Sequence, residues 1–188
     1  MALNTSGHHL VYGTLHDYLT GEELPDTDDE RLRQQLQRLM VQEKGYARED
    51  LEPRLTIEST FNGIYVRSVI DLTVSVQGKR LFVLRYGPGS LVTREKPALA
   101  AARVLDETYC IPLAVVTNGR DAELLETSSG KVLATGMEAI PDREEATTLL
   151  LKHTCQPLVD EAVRERTLRV LNAFDLEVCC RGDACSLT

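Results

Sequence analysis

Apolar and polar positions follow a helical period before residue 45, a strand-like period through the middle of the chain, and a helical period again from Arg143. Leu32, Leu36, Leu39 and Met40 form one stripe, with Gln34, Gln35, Gln37 and Arg38 off it. Thr27-Asp28-Asp29-Glu30 reads as a capping box that opens this helix, and Gly45 as its stop. Residues 55–60 alternate, which predicts a strand, and Asn62-Gly63 predicts a hairpin turn. The return arm is Val69, Ile70, Asp71, Leu72, Thr73, Val74, Ser75 and Val76. After the turn Gln77-Gly78-Lys79 comes Leu81, Phe82, Val83, Leu84, Arg85 and Tyr86, broken by Gly87-Pro88-Gly89-Ser90.

The Ala-rich run 98–102 predicts a short helix that lies close on a sheet, with Pro97 near its first turn. Residues 111–116 are continuously apolar, as in a strand covered on both faces. Residues 123–126 and 131–134 flank Ser128-Ser129-Gly130 as an edge hairpin. In the last helix, which follows Pro157, the pattern predicts a face of Val159, Val163, Val170 and Phe174. The expectation is an α/β fold: a mixed β-sheet flanked by helices, with C-terminal helices. Its parts are an irregular segment 1–26, a core 27–140, C-terminal helices 141–176 and a Cys-containing tail 177–188.

Composition narrows the function classes. The chain has 188 residues, 43% apolar and 27% charged, enough for one domain with a substantial core. A net charge of -8 argues against wholesale binding of polyanions but leaves room for a local basic face. No apolar run is long enough to span a bilayer. Residues 1–12 lack the basic start and apolar core of a secretory signal. The expectation is therefore a cytoplasmic protein, with no membrane partner and its five cysteines reduced. His8 and His9 read as part of a solvated start.

A carboxylate inside an apolar strand is costly unless it is paired or binds a metal, which singles out Asp71. The order of elements around it resembles the N-terminal nuclease domain of type I restriction enzyme R subunits, in the PD-(D/E)xK, restriction-endonuclease-like superfamily. The resemblance spans roughly residues 28–133. It rests on Glu30 and Arg33, Gly45-Tyr46, Asp71, the Gly78-Lys79 turn and Thr117-Asn118-Gly119. It implies an Asp on one strand and a Glu and a Lys, two apart, on the next. The carboxylates hold Mg²⁺, the metal activates water, and the Lys offsets developing charge.

Matched onto this chain, Asp71 keeps the Asp position, while Leu84 and Tyr86 fall at the Glu and Lys positions. The Gln favoured on the following helix is absent from Ala100-Ala101-Ala102-Arg103. Leu has no oxygen for a metal, and a tyrosine hydroxyl is neutral at pH 7. The expectation is a degenerate site with no cofactor. The alternative is an active Mg²⁺ nuclease whose ligands have migrated to Glu30, Glu58, Glu95 or Lys96. Asp71 also has a structural reading, paired with Arg67 or Arg85.

A second candidate is the basic run Lys79, Arg80, Arg85, Arg94, Lys96 and Arg103, which surrounds the loop of Gly87, Gly89 and Ser90. It reads as a phosphate-contacting patch for DNA, or as an ordinary solvated face. The loop lacks the ending of a Walker motif. His153 and Cys155, with Cys179, Cys180 and Cys185, fit no standard zinc spacing, so no metal site is expected. Cys110 reads as a small buried residue, and Arg181-Gly182-Asp183 as an adhesion signal only outside a cell. Three functions stay open: a non-hydrolytic domain that binds DNA or a protein, an active nuclease, and a scaffold or homo-oligomer without nucleic-acid binding.

Overall fold

The computed structural model describes residues 10–61 and 63–179. A six-stranded mixed sheet has the order β3 (Leu51–Phe61), β4 (Ile64–Val76), β5 (Lys79–Tyr86), β6 (Leu113–Thr117), β7 (Ala122–Glu126) and β8 (Val132–Thr135). Neighbours are antiparallel except β5 and β6, which are parallel. A parallel pair needs a crossover, and α2 (Val92–Val104) supplies it. On one face, α1 (Asp28–Gln42) and α3 (Arg143–Lys152) pack with Leu72, Val74, Phe82, Leu84 and Val115. On the other, α2 and α4 (Glu161–Cys179) pack with Ile57, Ile70, Val83, Ala114 and Val116. Among the described residues no helix is long and apolar enough to cross a membrane.

Thr27 caps α1 by accepting the Glu30 N–H at 3.1 Å. The Glu30 carboxylate turns instead to Gln34 and Arg33, so only half of the expected box forms. Leu36 and Met40 are buried as the stripe predicts. Gln34 and Gln37, expected off the stripe, are buried too. Their partner is Asp17, in a segment expected to be irregular. Residues 14–25 form a small hairpin of β1 (Thr14–His16) and β2 (Glu23–Pro25), with Asp17 in its turn. Helix α2 begins at Val92, so Pro97 lies inside it and not in its first turn.

Helix α4 corrects a second expectation. Val159 precedes the helix and is exposed, and Val170 faces solvent. Among the described side chains of α4 the buried ones are Thr167, Leu171, Asn172 and Asp175, because the helix docks partly on polar groups of the sheet. Ser59 donates to Asn172 at 2.9 Å. Cys110 and Cys155 are joined as a disulfide, against the expectation of reduced thiols. His153 engages Glu126 at 2.8 Å. Cys155 is bonded and His153 is paired, so neither stands free as a metal ligand. His8, His9, Asn62, Cys180, Cys185 and Arg181-Gly182-Asp183 lie outside the described residues, as does the side chain of Cys179.

Candidate functional site

The long β3–β4 hairpin changes face at Asp71. Residues two apart on a regular strand share a side. Yet Ile70 packs with the α2/α4 layer and Leu72 with the α1/α3 layer. The ladder pairs Pro53 with Leu72 and Leu55 with Ile70, and skips Arg54 and Asp71 between them. Arg54 has φ 55°, a left-handed conformation uncommon for a side-chain-bearing residue. At this twist the sheet opens a pocket of about 320 Å³.

Both Asp71 oxygens are taken by donors within the chain. Oδ1 accepts from Arg33 Nε at 2.5 Å and Oδ2 from the Tyr86 backbone N–H at 2.8 Å. Asp71 thereby ties α1 and the end of β5 to β4. Its pairing is with Arg33, not with the expected Arg67 or Arg85. Burial opposes the charge of Arg33, but Asp71, with Glu30 and Asp29 behind it, outweighs burial and raises its pKa. The Arg33 guanidinium also lies over the Tyr86 ring. The Tyr86 hydroxyl donates to Asp29 at 3.1 Å. Burial, then Asp29, pushes its pKa up to about 12.

Leu84 and Tyr86 lie on the same side of β5, both in the α1/α3 layer. Leu84 is fully buried in the core, paired with Leu72. One step along the same register sets Arg85 beside Asp71, and both line the pocket. Two residues beyond Arg85 is Gly87. A Cβ there would lie 1.9 Å from Arg94 Nη1 and 2.2 Å from its Cζ. The guanidinium of Arg94, from α2, therefore fills the space that a side chain at position 87 would take. The sequence placed Arg85, Gly87 and Arg94 in one basic patch, but not beside Asp71, and not with Arg94 reaching over Gly87. The skipped pair opposite Asp71 hides the register, and the Arg94 contact is long-range.

Of the other substitutes for a missing carboxylate, Glu30 lines this pocket. Glu58 sits further along the hairpin opposite Arg67, and its partner is the Tyr65 hydroxyl. Glu95 lies near Glu123 instead. Lys96 lines a separate groove between α2 and α4, with Arg103 and Arg166.

The basic run is not one surface. Lys79 and Arg80 begin β5, and Gly87 follows its end, about 25 Å away at ~3.3 Å per residue. Arg80 is held by Glu52 and Asp106. Arg103 donates to the Thr127 carbonyl. Arg85 and Arg94 are together at the pocket, and Gly89 and Ser90 are exposed on its loop.

No curated protein and no solved structure matches the chain. Residues 28–141 match the family described as type I restriction enzyme R protein N terminus. That span runs from the first residue of α1 to the stretch before α3, and so takes in the six-stranded sheet and the pocket around Asp71 apart from Phe174 and Asp175 of α4. The chain belongs to the type I restriction enzyme R protein N-terminal family.

Proposed function

We propose that this domain binds DNA through its sugar-phosphate backbone and does not cut it. The observation that carries the reading is the engagement of Asp71 by Arg33 and the Tyr86 N–H. An oxygen already held by a guanidinium is a poor ligand for Mg²⁺, which needs several unshared oxygens in near-octahedral order. In this reading Arg85 takes the place of the family's Glu, and Arg94, reaching over Gly87, takes the space of its Lys. An arginine in place of a metal-binding carboxylate turns the pocket from cation to anion recognition. Exposed Lys96, two residues along α2 from Arg94 and facing the neighbouring groove, adds a second phosphate contact.

One observation favours a rearranged nuclease: Glu30 lines the same pocket as Asp71 and contacts the same Arg33. A plasmid-nicking assay with Mg²⁺ and Mn²⁺ separates the two. We expect no cleavage above background. Cleavage lost in Asp71→Ala would establish the rearranged site. DNA affinity is measured alongside at two salt concentrations. A steep fall with salt is expected, since each neutralised phosphate releases counterions. Absence of binding even at low salt would instead leave a scaffold or protein-binding role.

A further inference from the structure

We propose that Arg85 and Arg94 form a binding site for a single phosphate group, with Asp175 of α4 as its internal competitor. This deepens the reading of the domain as a phosphate-backbone binder and rests on it for the identity of the ligand's parent molecule.

Four arginines line the pocket, and three are held by carboxylates. Arg33 pairs with Asp71 and Glu30, Arg54 with Asp17 and Glu22, and Arg85 with Asp175 at 2.9 Å. Arg94 donates to the Pro88 carbonyl and lies over the face of Phe174. Three polar atoms here are buried and make no hydrogen bond: Arg85 Nη1, Arg94 Nε and Asp175 Oδ2. Buried guanidinium N–H groups without an acceptor are costly, and few proteins keep them without a reason. Both residues line one pocket, fixed by β5 and α2, and a pair of guanidiniums there suits a tetrahedral oxyanion. Guanidinium donors match phosphate oxygens in shape as well as charge.

The neighbouring carboxylates do not close this site to an anion. Asp71 is matched by Arg33, and Glu30 is held by Gln34 and Arg33. Among the described residues Asp175 is the acid that pairs with Arg85, and it spends one oxygen there while the other makes no hydrogen bond. Burial, then the Arg85 charge, works against the charge of Arg94. A phosphate between the two guanidiniums relieves that repulsion. Phe174 lies under both, which fixes their planes while leaving their edges to a ligand.

Gly87 supplies an unusual test. Gly87→Ala adds only a methyl group, but it must push the Arg94 guanidinium away. It therefore empties the site without changing any charge. Arg94 is a flexible side chain, so the displacement leaves the backbone in place. Titration calorimetry of the full chain with inorganic phosphate compares the wild type, Gly87→Ala, Arg94→Gln and Asp175→Asn. Thermal melts verify that each variant is folded.

The site predicts that Gly87→Ala and Arg94→Gln each weaken phosphate binding about tenfold or more, as expected for loss of a charge-assisted hydrogen bond. It predicts that Asp175→Asn tightens binding about threefold, because a negative neighbour is removed. Absence of phosphate binding by the wild type overturns the proposal, as does equal binding by folded Gly87→Ala and Arg94→Gln. A final arm adds duplex DNA to the phosphate-loaded protein. Displacement of phosphate identifies a backbone phosphate as occupant. Phosphate binding without competition keeps the site for a free phosphate or phosphomonoester. Phosphate binding and DNA binding that both survive the two variants unchanged overturn the phosphate site and leave the DNA-binding reading standing.

Discussion

At the residue scale, Asp17 shows how this chain keeps a buried charge. Its side chain is fully buried, and it accepts from Arg54, Gln34, Gln37 and the backbone N–H groups of Leu19 and Thr20. Burial alone would raise its pKa; the bonds from Arg54, Gln34 and Gln37 more than reverse this and hold it well below the usual carboxylate range. A depressed carboxyl contributes stability above its unfolded value, 3.8, and loses it as pH falls through the folded value. We therefore expect Asp17→Asn to cost about 3 kcal/mol at neutral pH, since it leaves Arg54 and two glutamines short of a partner. The gap between variant and wild type should narrow in urea unfolding series taken down to about pH 2. Parallel curves would assign the loss to something other than the charge. The sequence offered no route to this cluster. Gln34 and Gln37 look like surface residues until the β1–β2 hairpin, whose Asp17 lies 17 and 20 positions before them, covers them.

At the element scale, strands and helices of the sheet were readable because their patterns are regular. The turns at Gly78 and Gly45 have positive φ, as their sequences suggest. The continuous apolar run became β6, buried at every position. The reading failed where elements meet through polar groups. Helix α4 docks through Leu171, Asn172 and Asp175, so a search for apolar residues found the half-buried Val163 and Phe174 but also the exposed Val159 and Val170. We expect Leu171→Ala to destabilise by about 2–4 kcal/mol through lost burial and a cavity. Val170→Ala, one position away and facing solvent, should change little. Chemical denaturation of both variants tests which face docks, and equal effects would contradict the arrangement described. The site was half legible for a similar reason. Asp71 stood out as an acid in an apolar strand. The left-handed Arg54 opposite it, which sets the strand frame and brings Arg85 to its side, has no sequence signal.

At the scale of the whole molecule, the disulfide ties the start of the β6 region to the segment that leads into α4. It closes a loop of 45 residues, so Cys155→Ser should cost about 2–4 kcal/mol under oxidising conditions and nothing under reducing ones. Peptide mapping without reductant should recover the linked Cys110 and Cys155 peptides. The basic residues, contiguous in sequence, are divided by the fold among three places, and only Arg85 and Arg94 meet at the pocket. Asp71 is central to the account because it joins three elements there: α1 through Arg33, β4 by position, and the end of β5 through the Tyr86 N–H. The decisive measurement is equilibrium unfolding of the wild type and Asp71→Ala, each with and without millimolar Mg²⁺. A structural clamp predicts that Asp71→Ala loses about 2–3 kcal/mol, the worth of a buried charge-assisted bond, and that Mg²⁺ leaves both proteins unchanged. A metal site predicts the reverse: Mg²⁺ stabilises the wild type by mass action, and Asp71→Ala abolishes that gain. That second result would contradict the account.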